Sequence, residues 1–361
     1  MAVPNLSWRP DPISLAALLR AAPESARLAA SLQPEDIRPL RQKGVAHLHF
    51  RLGGTGLLLR TPRPSTASAA PADHLAADHL AYEAASFRRA EASGATPRLA
   101  AVLPPCDALP AGALLVEEIV GRAPRLPADL PRLAEALAKL HRLPLPAPER
   151  RPPLPDHGVG GPVARTLAVI ESQRQAFIEA DIPAATRSAL EEEIAWARDF
   201  AAASRGEQPL ALVGTDTHPG NFLLRPDGAA IFVDLEKALY GSPAIDLAHA
   251  TLFTSTTWDP DVQARLSLAE IAAFYEHYLA LAGPGRAAAL RPWLAPCRRL
   301  TWLRTMMWCT RWRTGAGSGS AAAGEDGLLT HIERRVATFF DPAVVASVRA
   351  EWKSRSLELS F

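Results

Sequence analysis

The chain has 361 residues, 48% of them hydrophobic, and a formal net charge of +1 at pH 7, so a sizeable core is available and no whole-chain charge argument points to nucleic acid. Its three cysteines are too few and too scattered for a disulfide framework or a zinc site, which favours a reducing compartment, the cytoplasm. We expect neither a secretory signal nor a membrane partner, because the first residues lack a basic segment followed by an apolar one and no run of about eighteen apolar residues occurs.

The first predicted elements are mainly strands. The region from Ile37 to Pro62 predicts β structure, and the alternation in "HLHFRL" puts Leu48, Phe50 and Leu52 on one face. The turn residues "GGTG" and the apolar "LLLR" come next, which predicts a hairpin. Three more elements are predicted before residue 122: a loop over 61–73, a helix over about 74–92 that Gly94 ends, and a buried strand from Ala113 to a turn at Gly121.

Helices dominate the remainder. One is well delimited, because Ser267 and Glu270 are spaced as a capping box and Gly283 is a typical stop. Apolar residues at helical spacing predict helices over 127–143, 161–180, 185–204 and 267–283, and over most of the later sequence. Two short strands, 208–213 and 229–235, are expected to form a hairpin around the polar stretch "VGTDTHPGNFLL".

These changes in pattern divide the chain into four parts. We predict an N-terminal extension over 1–36, a small β-rich part over 37–116, a hinge over 117–122 and a large helical part over 123–361.

The polar stretch "DTHPGN" carries side chains that packing does not require. Asp216 and Asn221 lie five residues apart across a turn that Pro and Gly shape, and Asp234 follows at the end of the apolar "AAIFV". Mg²⁺ prefers oxygen ligands and commonly takes one or two from protein and the rest from phosphate and water, which Asn221 and Asp234 could supply. Asp216 would then be available to accept or orient a hydroxyl proton. This set of residues is typical of phosphoryl transfer, and the D-x-x-x-x-N spacing is that of protein kinases.

Several ordered motifs resemble those of the aminoglycoside phosphotransferase and choline kinase family. They are "GTDTHPGNFLL", "AIFVDLEKALYGSPAIDLA" and "LAKLHRL", and the resemblance extends over about Leu40 to Ala250. It implies an α+β, two-lobed, protein-kinase-like fold with a small β-rich N-lobe and a large, mainly helical C-lobe. It also implies transfer of the γ-phosphate of ATP or GTP, with Mg²⁺, to a small-molecule hydroxyl acceptor.

The resemblance assigns roles to individual residues of this chain. Asp216 corresponds to the catalytic base, Asn221 and Asp234 to the metal ligands, and Asp246 to a carboxylate that braces their loop. The nucleotide-binding residues that it implies are Arg60 on the α- and β-phosphates, Glu83 as its helix partner, and the backbone of Glu117 and Ile119 facing the adenine.

One position departs from the family pattern. Gly214 stands where the family usually has His, two residues before the base. This keeps an alternative open, a catalytically weak or inactive kinase-like protein that binds nucleotide or a partner. A protein kinase is less favoured, because no A-P-E segment follows Asp234. His218 is interpreted as a structural residue of the loop, and Glu236 either supports the metal site or lies at the surface.

The stretch "CRRLTWLRTMMWCTRWR" (297–313) interleaves arginine and tryptophan. A nucleic-acid surface is one interpretation, but a helix that faces the core with its arginines extended towards solvent is favoured. A third interpretation makes this helix a wall of the acceptor pocket. Its five arginines would repel a polycation, so we expect a neutral or anionic acceptor, on which Trp302, Trp308 and Trp312 could stack.

Overall fold

A five-stranded antiparallel sheet forms most of the N-terminal part of the protein, in a computed structural model that describes residues 8–63, 79–158, 160–204, 207–316 and 326–353. Helix α1 (Pro12–Ala21) precedes it and helix α2 (His79–Ala90) lies between its third and fourth strands. The strands are β1 (Ile37–Pro39), β2 (His47–Leu52), β3 (Leu57–Pro62), β4 (Leu99–Leu103) and β5 (Ala113–Glu117), in the order β1-β2-β3-β5-β4.

The two faces of this sheet are buried by different partners. The predicted apolar face of β2 is confirmed, since Leu48, Phe50 and Leu52 are buried in one cluster with Leu15 of α1. Antiparallel register puts His49 opposite Arg60 on the other face. Arg60 is also buried and ion-paired to α2, so this face belongs to the site described below and not to solvent.

The C-terminal part is mainly helical. Helix α10, 28 residues long, is its longest described helix and packs against α4, α7 and α9. The helices are α3 (Leu130–His141), α4 (Pro162–Ser172), α5 (Arg174–Glu179), α6 (Ala184–Ala203), α7 (Pro243–Thr251), α8 (Phe253–Thr256), α9 (Leu268–Ala282), α10 (Pro284–Arg311), α11 (Asp326–Phe339) and α12 (Pro342–Lys353). Among the described residues, none of these helices combines the length and the apolar character needed to cross a bilayer.

Four short strands between α6 and α7 form two separate ribbons. Strand β6 (Ala211–Val213) pairs with β9 (Leu239–Gly241), and β7 (Phe222–Leu224) pairs with β8 (Ala230–Phe232). The prediction of one hairpin made by 208–213 and 229–235 is therefore wrong. Strands of three residues carry too little periodicity to select a partner, and β9 was not predicted at all.

Helix limits agree with the sequence where a cap is present. Ser267 and Glu270 form the expected capping box of α9, and Gly283 is its C-cap. The predicted helix over 161–180 is instead broken at Gln173 into α4 and α5. Of the helix predicted over 74–92, residues 79–90 form α2, and 74–78 lie outside the described residues, as do 64–73 of the predicted loop. The domain boundaries stay predictions.

Candidate active site

Residues 214–221, which we call the Asp216 loop, connect β6 to β7 and are held by one buried carboxylate. Asp246 in the first turn of α7 accepts hydrogen bonds from the backbone N–H of Gly214 and of Thr215, each at 2.8 Å. His141, the last residue of α3, contacts the same carboxylate through Nε2 at 3.0 Å. Asp246 therefore holds the backbone of the loop in place, as the family resemblance implies.

Thr215 has an unusual backbone conformation within this loop. Its φ is +57°, in the left-handed region that β-branched residues rarely occupy. Three hydrogen bonds and burial hold it: the bond to Asp246, a bond from its hydroxyl to the carbonyl of Lys237 at 2.9 Å, and a bond from Arg304 to its carbonyl at 2.7 Å. Conformations of this kind cluster at functional sites, where the surrounding structure holds them.

The departure at Gly214 has a steric reason. A Cβ atom at this position would lie 2.5 Å from Cε1 of Phe232, much closer than real contacts. The ring of Phe232 therefore occupies the space that a side chain at 214 would need. The loop is braced by the Asp246 contacts without an imidazole at this point.

Two side chains that were not predicted, those of Lys237 and His249, lie beside Asp216. Its Oδ2 is 2.6 Å from Nζ of Lys237, its Oδ1 is 3.7 Å from Nε2 of His249, and its side chain is 21% exposed. Burial alone would raise the pKa of Asp216, but the charge of Lys237 holds it well below the ordinary value. Burial also lowers the pKa of His249 to about 3, so this ring is neutral. Asp216 is thus an ionised carboxylate that opens to solvent.

Asn221 and Asp234 are brought together by the β7–β8 pairing. The N–H of Val233 donates to the carbonyl of Asn221 at 2.9 Å, which sets Asp234 next to the end of the loop. The side-chain amide of Asn221 donates to the carbonyl of Asp216 at 2.8 Å, which leaves its side-chain oxygen as an acceptor. Burial and the neighbouring carboxylate of Glu236 raise the pKa of Asp234. A carboxylate and an amide oxygen are donor types that Mg²⁺ accepts.

Arg60 and Glu83 are joined in a buried network that reaches the Asp234 side of the site. Arg60 contacts Glu83 at 3.3 Å and Asp234 at 2.9 Å. His47, which sequence reasoning left without a role, contacts Glu83 at 2.7 Å and Glu236 at 2.9 Å. Burial and the Arg60 charge oppose protonation of His47, but Glu83 and Glu236 outweigh them and raise its pKa to about 9. Glu236, whose role was left open, is therefore part of this network.

The predicted hinge residues begin at Glu117, the last residue of β5. The N–H of Glu117 donates to the carbonyl of Arg98, and the N–H of Glu118 donates to the carbonyl of Gly56, each at 2.9 Å. Within the described chain, the backbone of Ile119 takes part in none of the hydrogen bonds, and this residue is half-buried. The hinge then joins the C-terminal part through the N–H of Arg122, which bonds to Leu224 at 3.0 Å.

Helix α10 carries the Arg- and Trp-rich stretch, and its side chains face different surroundings. Trp302 and Trp312 are buried, Trp302 against Trp352, so neither can stack on an acceptor, and that part of the prediction is wrong. Trp308 is 37% exposed and packs edge-on against Trp258 with ring centroids 5.5 Å apart. Arg304 is the arginine of this helix that reaches the Asp216 loop.

Three other arginines of the stretch are engaged away from that loop. Arg298 pairs with Glu351, Arg299 stacks on Trp196 and contacts Glu193, and Arg313 lies over Phe340. These contacts favour the core-facing interpretation of the helix over a nucleic-acid surface.

The side chains that sequence reasoning missed are Lys237, His249 and His47. Lys237 directly follows the D-x-E motif and lies inside "AIFVDLEKALYGSPAIDLA", and His249 is the residue immediately after that stretch. Their proximity to recognised positions was the available signal. Nothing in the local pattern showed that they turn towards Asp216.

Comparison with known proteins identifies the family of the chain. The model of the phosphotransferase enzyme family, APH, matches residues 36–290. No curated protein sequence matches the chain significantly.

The fold is similar to those of several solved kinases. A choline/ethanolamine kinase family protein from Mesorhizobium loti is 20% identical with a TM-score of 0.58, over 93% of this chain and 98% of that one. Choline kinase from Cryptosporidium parvum is 11% identical with a TM-score of 0.58, over 87% and 91%. A spectinomycin phosphotransferase solved with ADP and spectinomycin is 12% identical with a TM-score of 0.56, over 86% and 91%. Such identities support the fold alone, but the family match covers most of the chain, which therefore belongs to the phosphotransferase enzyme family and has its kinase-like α+β fold.

Proposed function

We propose that the protein is a small-molecule kinase that transfers the γ-phosphate of ATP, with Mg²⁺, to a hydroxyl group of a small metabolite. The observation that carries this proposal is the direct connection between the two halves of the site. Asn221 donates its side-chain amide to the backbone carbonyl of Asp216, and its own backbone carbonyl accepts from the N–H of Val233, the residue before Asp234. A carboxylate for the hydroxyl and a set of oxygens for the metal are thereby held at fixed relative positions, as phosphoryl transfer requires. The spectinomycin phosphotransferase solved with ADP supports the choice of an adenine nucleotide.

Each residue of the chain has a defined part in this proposal. Asn221 and Asp234 would hold Mg²⁺, which when bound neutralises charge on the nucleotide phosphates. Arg60, kept in place by Glu83, would contact the α- and β-phosphates, and the backbone of Glu117 and Ile119 would face the adenine. Because the Glu117 N–H already bonds to Arg98, Glu117 would contribute its carbonyl only.

Asp216 would orient the acceptor hydroxyl and receive its proton. Its carboxylate is ionised and part-exposed, and the Asp246 contacts fix its loop. Positioned proton acceptors of this type contribute about 10²–10⁴-fold to rate.

The acceptor that we propose is neutral or anionic. The side chains that approach the Asp216 loop from outside include Lys237 and Arg304, both cationic. A polycation placed against them would meet like charges, at a cost of about 4 kcal/mol for each pair 4 Å apart near a protein surface. The exposed ring of Trp308, one helical turn after Arg304, offers an apolar surface nearby.

A second candidate function is a kinase-like protein with weak or no activity. It is favoured by Gly214 and by the ion pair that Lys237 makes with Asp216, since a base held by a cation is a poor proton acceptor. It is disfavoured by the presence of Asp216, Asn221 and Asp234 together.

A screen of hydroxyl-bearing metabolites for ADP production from Mg-ATP distinguishes the two. We expect at least one acceptor to raise ADP production, and Asp216→Asn to lower that turnover by about 10²–10⁴-fold while nucleotide binding is kept. Asp199→Ala, an exposed substitution on α6, is the control and should match the wild type. Wild-type turnover in Asp216→Asn would remove Asp216 from the mechanism, and no acceptor-dependent ADP from any compound would favour the second function.

A further inference from the structure

Lys237 lies between the two acidic halves of the proposed active site. Its Nζ is 2.6 Å from Oδ2 of Asp216 and 3.3 Å from Oε1 of Glu236. The first carboxylate belongs to the side where the hydroxyl would bind, and the second is two residues beyond Asp234. The ammonium group therefore lies between the carboxylate of the proposed base and a carboxylate that shares Nη2 of Arg60 with Asp234.

The backbone of Lys237 is fixed while its side chain stays accessible. Its carbonyl accepts a hydrogen bond from the hydroxyl of Thr215 at 2.9 Å, which ties the residue to the Asp216 loop. Its side chain is 43% exposed, in contrast to the buried Arg60, which already contacts Glu83, Asp234 and Glu236. An ion pair that is this exposed contributes little to stability, so a purely structural role explains it poorly. An accessible cation on a fixed backbone can change partner when a ligand arrives.

We propose that Lys237 is a phosphoryl-contacting residue that binds the non-bridging oxygens of the γ-phosphate during transfer and leaves Asp216 free for the acceptor hydroxyl. This rests on the proposed kinase function. In the step, the acceptor oxygen forms a bond to the γ-phosphorus while the bond from that phosphorus to the β–γ bridging oxygen breaks. The hydroxyl proton goes to the Asp216 carboxylate and the nucleoside diphosphate leaves. Lys237 keeps its proton throughout and contributes positive charge where negative charge develops.

Because Lys237 changes partner when a γ-phosphate is bound, the nucleotide-free protein is in a resting state. Without a γ-phosphate, Lys237 neutralises Asp216, and the base has no spare charge with which to attract a hydroxyl proton. With a γ-phosphate, the ammonium has a second anionic partner nearby, and Asp216 is released. The same residue would therefore link the presence of nucleotide to the availability of the base.

Binding of a transition-state mimic tests this without knowledge of the acceptor. Calorimetry would compare Mg-ADP alone with Mg-ADP plus fluoroaluminate, which imitates the transferring phosphoryl group, in the wild type, Lys237→Met, Lys237→Arg and the control Lys139→Met on the exposed side of α3. We expect fluoroaluminate to tighten ADP binding by the wild type by about 10²-fold or more. Lys237→Met should lose about 10-fold or more of that gain while its affinity for Mg-ADP alone is unchanged. Lys237→Arg should keep much of the gain, and Lys139→Met all of it.

The outcomes separate this proposal from the proposed function. An undiminished fluoroaluminate effect in Lys237→Met would overturn the role of Lys237 and leave the kinase assignment intact. An equal loss of both affinities would also overturn it, because it would show a ground-state role. A wild type that binds Mg-ADP with no gain from fluoroaluminate would overturn both. If thermal unfolding showed Lys237→Met to be misfolded, Lys237→Gln would replace it, with the same two results deciding.

Discussion

Asp246 supplies the most direct test of how the Asp216 loop is held. It is fully buried, and its carboxylate accepts hydrogen bonds from Gly214, Thr215 and His141 at 2.8 to 3.0 Å. We predict that Asp246→Ala lowers the free energy of unfolding by about 3–5 kcal/mol, because three buried donors lose their acceptor at once. Each hydrogen bond to a charged group contributes about 1.5–3 kcal/mol, and water that enters the space recovers part of the sum.

Asp246→Ala should also lower catalytic activity. Without the carboxylate, the left-handed conformation of Thr215 loses one of the contacts that hold it, and Asp216 is the next residue. Asp246→Asn should be intermediate in stability. An amide of the same shape keeps one acceptor oxygen, but its NH2 group would face donors that the carboxylate had accepted from. Acceptor-dependent turnover should fall in both variants.

Urea unfolding followed by circular dichroism measures the stability change, with the slope of the transition compared between variants. Asp199→Ala, exposed on α6, is the control and should stay within about 0.5 kcal/mol of the wild type. A loss below about 1 kcal/mol for Asp246→Ala, the ordinary contribution of a single neutral hydrogen bond, would refute the reasoning.

Three further predictions concern the metal, a buried imidazole and the acceptor. Asp234→Ala should weaken ATP binding more with Mg²⁺ than without it, because the change removes a proposed metal ligand but also frees Arg60 to contact the phosphates. Equal losses by calorimetry would exclude Asp234 as a ligand. The pKa of His47 is raised from 6.5 to about 9, so its protonated form should stabilise the fold fully below pH 6.5, by about 3 kcal/mol, and this stability should be lost as pH rises through about 9. The difference in unfolding free energy between the wild type and His47→Gln should follow that profile, and a difference independent of pH would contradict it. Expression in a sensitive bacterium should not raise inhibitory concentrations of aminoglycosides, and an Asp216-dependent rise would show that the acceptor is a polycation.

The sequence by itself determined the residues whose relation is local. The spacing of Asp216 and Asn221 across one short turn, and the place of Asp234 two residues after β8, follow from a few neighbouring residues and were readable without tertiary structure. The alternation of β2 and the capping box of α9 were equally clear, since side-chain period and caps are short-range properties. The family resemblance rests on these same local motifs.

Only the tertiary structure decided which distant groups meet at the site. The pairing of β6 with β9 and of β7 with β8 depends on long-range hydrogen bonds, because each strand is three residues long and has no local pattern to select its partner. That pairing, together with the packing of α7 against β6 and of α10 against α7, turns Lys237, His249 and Arg304 towards the Asp216 loop. It also places the ring of Phe232 against Gly214, which explains a departure that the sequence could show but not interpret. The charge and the free volume at a site depend on elements that are far apart in the chain, so only the folded structure determines them.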